Sequence, residues 1–125
     1  MTLYKKILGQ QGEELIAQYL KKLGFTIICQ NYKSRFGEID IIAYDKNTLA
    51  FIEVKCRKDS KVYLSELINH SKQQKIIKTA LVYISSNNLS HIIYRFDVAL
   101  LHLIQNNIEL KYIQNAFTSF DESIF

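Results

Sequence analysis

Asp40, Glu53 and Lys55 stand inside two otherwise apolar stretches, Gly37-Glu38-Ile39-Asp40-Ile41-Ile42-Ala43 and Leu49-Ala50-Phe51-Ile52-Glu53-Val54-Lys55. Both stretches read as β-strands, where ionisable groups are costly unless they pair, join a hydrogen-bond network or bind a metal ion. Side chains on a strand alternate between faces, so Phe51, Glu53 and Lys55 share one side and Ile52, Val54 and Cys56 the other. The same alternation groups Glu38, Asp40 and Ile42, and pairing the two strands can bring Asp40 beside Glu53. One or two carboxylates suit Mg²⁺ or Mn²⁺, which keep several waters and take phosphate oxygens in the remaining positions. Lys55 could hold an attacking water or stabilise transition-state charge, and partial burial would push its pKa toward that of a base. This is equipment for metal-assisted phosphodiester hydrolysis. The alternative for the three residues is a structural ion-pair network.

The elements that must position these groups follow from periodicity and turn chemistry. An amphipathic helix runs from about Gln11 to Leu23, carried by Leu15, Ile16, Tyr19, Leu20 and Leu23 and stopped by Gly24. Phe25 to Tyr32 is the first strand, Glu38 to Tyr44 the second and Thr48 to Arg57 the third, with turns at residues 33–37 and 45–47. Lys58 to Ser65 is polar and reads as a mobile loop. A second helix is expected from about Ser65 to Ser85, with a polar interruption around His70 to Lys75. Ile92 to Ile104 and Ile108 to Ala116 are strands joined by a turn at Gln105-Asn106-Asn107. The order α-β-β-β-α-β-β implies an α/β fold with a central mixed sheet flanked by helices.

A further acid would help the chemistry, and Glu13 on the first helix is the candidate; a plain surface carboxylate is its alternative. Glu14 points about 100° away around the helix and is expected in solvent. The 125 residues suffice for one domain over 1–125 with a real core, and 48% of them are apolar. No apolar run approaches membrane-spanning length and no leader pattern opens the chain, so it reads as soluble and cytoplasmic, with no membrane partner. Cys29 and Cys56 lack metal-ligand spacing and read as reduced packing residues. The net charge of +4 fits an anionic partner such as nucleic acid only weakly. The position of the charge says more, because the densest basic patch, from Lys55 through Arg57 and Lys58 to Lys61, follows the Glu53 strand directly.

Gly12-Glu13, Ala17, Tyr19-Leu20, Gly24-Phe25, Asn31, Arg35, Gly37-Glu38-Ile39-Asp40, Phe51-Ile52-Glu53-Val54-Lys55 with Arg57, Arg95-Phe96-Asp97-Val98 and Asn115-Ala116-Phe117 together resemble the bacterial YraN-type (UPF0102) family over nearly the whole chain. That family looks like a member of the PD-(D/E)xK nuclease superfamily and is similar to archaeal Holliday junction resolvases in its first half. The resemblance implies a restriction-endonuclease-like fold, with Asp40 and Glu53 as ligands of Mg²⁺ or Mn²⁺, Lys55 as catalytic lysine and Glu13 as auxiliary acid. Ile39 stands where the superfamily's name places a proline. Arg95 and Asp97 resemble the family's Arg-Phe-Asp motif, and a structural salt bridge is their better reading.

The function expected is a metal-dependent nuclease acting on DNA, with branched or structured DNA implied by the resolvase-like resemblance. Cutting a symmetric junction would call for a homodimer, and a protein partner could deliver the enzyme. Arg35, Arg57 and Lys58 flank the site in sequence and are candidate phosphate contacts, as is Lys72 on the second helix. The alternative is a non-catalytic nucleic-acid-binding or scaffold module that keeps the nuclease fold. A hydrolase of small phosphorylated molecules fits less well, since no Gly-rich phosphate loop is present.

Overall fold

A computed structural model describes residues 10–58, 63 and 67–118. Among these residues seven elements follow one another: α1 (Gln10–Lys22), β1 (Thr26–Ser34), β2 (Gly37–Asp45), β3 (Thr48–Arg57), α2 (His70–Ser86), β4 (Ile93–Ile104) and β5 (Asn107–Phe117). The loop expected over residues 58–65 lies mostly outside the described residues.

Local chemistry explains most of the boundaries. Gly24 ends α1 with φ 97, while its own N–H donates to Lys21 O at 3.0 Å and the Phe25 N–H to Leu20 O at 2.9 Å. That pair of hydrogen bonds closes orphan carbonyls of the last turn and requires the left-handed conformation glycine adopts freely. Gln105 and Asn106, φ 49 and 62, form a two-residue hairpin between the paired Ile104 and Asn107, so Asn107 opens β5 instead of closing the turn. The start of α2 also corrects expectation. The helix begins at His70, capped by Asn69 Oδ1, which accepts the Lys72 N–H at 2.9 Å. The polar stretch 70–75 is therefore its first turns and not an interruption, and Leu67 and Ile68 are buried just before it.

The five strands lie in the order β1-β2-β3-β4-β5. All neighbours are antiparallel except β3 and β4, which run parallel over ten pairs from Thr48↔Ile93 to Arg57↔His102. A parallel pair needs a crossover, and α2 supplies it. One face of the sheet packs against α2, where Ile42, Phe51, Phe96 and Val98 meet Ile76 and Ala80. The opposite face packs against Ile16, Ala17 and Leu20 of α1 through Ile41, Ala43, Ile52 and Ala99. Cys29 packs against the first core and Cys56 against the second. Among the described residues, no helix is long and apolar enough to cross a membrane.

Arg95 and Asp97 form the structural ion pair expected of them. Asp97 is completely buried and accepts Arg95 Nε at 2.9 and 3.1 Å, Tyr112 Oη at 2.6 Å and the Asn115 N–H at 3.0 Å. A terminal nitrogen of Arg95 donates to Asp45 Oδ2 at 2.9 Å. Burial opposes the charge of Arg95, but the two carboxylates outweigh it and hold its pKa above the ordinary value. Burial and the Asp97 charge together raise the Tyr112 pKa. The network fastens β4 to β5 where their register shifts between Phe96 and Val98, and to the end of β2. Asp97→Asn leaves the Arg95 charge without its main partner, so urea unfolding followed by circular dichroism is expected to show a loss of about 3–5 kcal/mol. Tyr112→Phe is expected to lose about 2 kcal/mol. A loss below about 1 kcal/mol for Asp97→Asn would mean that apolar packing alone holds this corner.

Candidate active site

The β2–β3 ladder runs from Asp45↔Thr48 to Ile41↔Ile52, and Asp40 and Glu53 are the next residues beyond it on each strand. There the Val54 N–H donates to Asp40 Oδ2 at 2.8 Å, so a side chain takes over from the backbone as acceptor. On the other side of β2, the pairs Gln30↔Ile41 and Tyr32↔Ile39 place Asn31 opposite Asp40, and Asn31 has φ 55. This irregularity disturbs strict alternation. Ile39 packs into the α2-side core together with Ile42, although alternation assigns it to the side of Ile41. Asp40 consequently meets groups from both faces of the sheet: Glu53 of β3 and Glu13 in the first turn of α1.

Burial, then the Glu53 charge, raises the Asp40 pKa to about 8, with Glu13 adding to the shift and the Val54 hydrogen bond opposing it. Glu53 is 7% exposed and its Oε1 is shared by two ammonium groups, Lys72 Nζ at 3.1 Å and Lys55 Nζ at 3.4 Å. Alternation holds on this strand: Glu53 and Lys55 face α2, whereas Val54 and Cys56 pack on the α1 side. Burial and the proximity of Lys72 lower the Lys55 pKa despite Glu53. The Lys72 pKa is raised, because its contacts with Lys55 and Glu53 outweigh burial.

These groups border a cleft of ≈ 490 Å³ between the start of β2, β3 and the first turns of α2, lined among others by Gly37, Glu38, Asp40, Glu53, Lys72 and Lys75. Of the expected site residues, Asp40, Glu53 and Lys72 line it directly. Lys55 reaches it through Glu53, and Glu13 through Asp40. Glu14 is exposed and accepts from Gln18 at 3.0 Å, as its place on the helix required. Arg35 sits on the β1–β2 turn beside the cleft, its guanidinium carbon 4.7 Å from the Phe36 ring centroid. Arg57 and Lys58 lie further along β3 and beyond it and do not line the cleft; Arg57 Nη1 donates to Cys56 O at 2.8 Å. Lys75 and Ser71 were missed. The signal that could have found Lys75 is its i+3 spacing from Lys72, visible once α2 is known to begin before them.

The chain matches the model of a family described as "Uncharacterised protein family UPF0102" over residues 12–101. It is 46% identical to a UPF0102 protein of Desulfosudis oleivorans, over 87% of this chain and 88% of that protein. It is 41% identical to one of Caldanaerobacter subterraneus subsp. tengcongensis, over 93% and 96% of the two chains. Among solved structures it is similar to Archaeoglobus fulgidus Hjc, a Holliday junction resolvase from an archaeal hyperthermophile, with a TM-score of 0.54, 22% identity and coverage of 93% of this chain and 90% of that one. At that identity the likeness establishes the fold, which is the restriction-endonuclease-like arrangement.

The raised Asp40 pKa carries a sign. The folded protein keeps this proton to a pH of about 8, whereas an ordinary aspartate releases it near 3.8. The associated stability is complete below the lower value and is lost as pH rises through the upper one. Asp40→Asn keeps an acceptor for the Val54 N–H and removes the ionisation. In EDTA at pH 8 it is expected to melt at least about 4 °C higher than wild type, the shift that roughly 1 kcal/mol produces in a domain of this size. It should also flatten the decline in melting temperature between about pH 5 and about pH 8, inside the span of the two pKa values; parallel declines would show that the Asp40 pKa is not raised.

Proposed function

We propose, for a chain that belongs to the uncharacterised protein family UPF0102, the function of a divalent-metal-dependent nuclease that hydrolyses phosphodiester bonds in DNA. One observation carries this reading: Asp40 and Glu53 are crowded together at the floor of an open cleft whose other wall is basic. A carboxylate kept protonated by burial and by neighbouring carboxylates is a position where a cation relieves both the desolvation and the repulsion, so the residues fit a metal. Among the described residues, no group of three or more His, Cys, Asp or Glu side chains is placed to hold a metal ion. Two carboxylates with open positions are the donor set that Mg²⁺ or Mn²⁺ takes when phosphate and water complete the shell.

In this reading Asp40 and Glu53 hold the ion, which supplies charge neutralisation at the phosphate and polarisation of the attacking water. The Val54 N–H fixes one Asp40 oxygen in the seam beside Glu53. Lys55 Nζ, next to Glu53 and lowered in pKa, orients the water and stabilises charge developing on the phosphate. Glu13 supports Asp40 from the α1 side. Lys72 exchanges Glu53 for a phosphate oxygen, and Arg35, Arg57 and Lys58 contact the DNA farther out. The solved relative's description as a Holliday junction resolvase supports branched DNA as substrate and a homodimer as the assembly that cuts two strands. The ion pairs that already occupy Glu53 favour a second reading, a binding module that uses the same cleft without catalysis.

Labelled single-stranded, duplex, flap and four-way-junction DNA, incubated with Mn²⁺ or Mg²⁺, separates the two. The nuclease reading expects cleavage of a structured substrate that falls by at least about 100-fold in Asp40→Asn and in Lys55→Ala. Cleavage retained in both variants contradicts this site. Salt-sensitive binding with no cleavage under any metal supports the module.

A further inference from the structure

A second depression opens on the seam between the β1–β2 turn and α2. It measures ≈ 450 Å³ and is lined by Phe36, Lys78, Leu81, Val82, Ser85 and Ser86, with no acidic side chain among them. Phe36, Leu81 and Val82 belong to neither core, and Leu81 is 49% exposed. The turn does not need an aromatic at this position. The Phe36 N–H is held by Ser34 Oγ at 3.0 Å, which any residue but proline could satisfy.

The groove adjoins the cleft that holds Asp40 and Glu53. Phe36 lines the groove and Gly37 the cleft; Lys78 lines the groove and Lys75, one helical turn earlier, the cleft. Lys72, Lys75 and Lys78 thus form a row from Glu53 to the groove, each about 4.5 Å along the helix axis from the next. At its far end the Phe36 ring has the Arg35 guanidinium carbon 4.7 Å and Lys78 Nζ 5.7 Å from its centroid. A cationic track that ends in an apolar floor beside a guanidinium plane matches one chemistry well. Phosphates follow the lysines, and an exposed base rests on the apolar side chains or stacks on the guanidinium.

We infer that this groove is a subsite for an unpaired base of the DNA strand bound in the cleft, made by Phe36, Leu81 and Val82 with Arg35 as stacking partner. The inference rests on the nuclease reading and narrows its substrate to DNA with unpaired nucleotides beside the cut. Bases inside a duplex are stacked on each other and cannot enter. From Lys72 to Leu81 the helix advances about 13.5 Å, which sets the base within roughly four nucleotides of the scissile phosphate at a rise of about 3.4 Å each.

The test measures binding in the full chain carrying Asp40→Asn, so that cleavage does not intervene. The probes are a blunt duplex and the same duplex with a short single-stranded flap containing 2-aminopurine, read by anisotropy and base fluorescence. The flap DNA is expected to bind at least about fivefold more tightly, and Phe36→Ala and Leu81→Ser should each remove that preference and leave blunt-duplex binding intact. Neither side chain belongs to a core, so both variants are expected to fold, which circular dichroism checks. Lys78→Gln should reduce the salt dependence for both probes by about one charge. Equal binding of the two probes, or a preference kept in both apolar variants, overturns the subsite. So does a dimer that dissociates in Leu81→Ser, which would make the groove a contact between copies. Any of these results with metal-dependent cleavage intact removes the subsite alone; absence of cleavage removes the nuclease reading beneath it.

Discussion

The bond from the Val54 amide to the Asp40 carboxylate, 2.8 Å long, sits where two strands stop pairing and the site begins. Had the ladder continued past Ile41↔Ile52, Asp40 would be one more strand residue with its side chain on one face. Because its carboxylate accepts a strand N–H, it lies in the seam between β2 and β3 and meets Glu53 and Glu13 from opposite faces. The helices follow from the same geometry. Only a sheet covered by α1 on one side and α2 on the other can deliver Glu13 and Lys72 to one pair of strand carboxylates.

Two aspartates in this sheet, Asp97 buried and Asp40 half-buried, show the difference between a structural and a reactive carboxylate. Asp97 is enclosed, and Arg95, Tyr112 and the Asn115 amide satisfy it. Its energetic role is to fix β4 and β5, and it has no capacity left for a ligand. Asp40 has the one backbone donor and carboxylate neighbours, and its proton is retained to a pH of about 8. A group left poised in this way costs stability, and the cost is intelligible when a cation belongs beside it. Glu53 lies between the two extremes, its charge met by lysines that can be exchanged for other partners.

Much of this was legible in the sequence because strand alternation is a strict rule where backbone pairing is regular. The order of the elements, the shared face of Glu53 and Lys55 and the approach of Asp40 to Glu53 all follow from a period of two and short turns. The Arg95–Asp97 pair was legible because two residues on one strand face can touch. Alternation failed at Ile39, where Asn31 enters the left-handed region on the neighbouring strand; nothing in the residue types of β2 announces that. The start of α2 was misplaced because its first turns are polar, and a polar helical face looks the same whether it borders solvent or a cleft. That error hid Lys75. The groove beyond it was invisible for a related reason: Phe36 and Leu81 are 45 residues apart in sequence, and only the packing of the β1–β2 turn on α2 brings them together.

The chemistry of the cleft requires Asp40 and Glu53 to form a cation site in which Asp40 gives up its proton. Isothermal titration of Mn²⁺ into the protein at pH 7, repeated in buffers of different ionisation enthalpy, counts the protons released on binding. With an Asp40 pKa of about 8, binding should release about one proton in wild type and none in Asp40→Asn, whose affinity should also fall. Absence of Mn²⁺ binding, or binding with the same proton count in both proteins, would show that Asp40 and Glu53 do not form such a site.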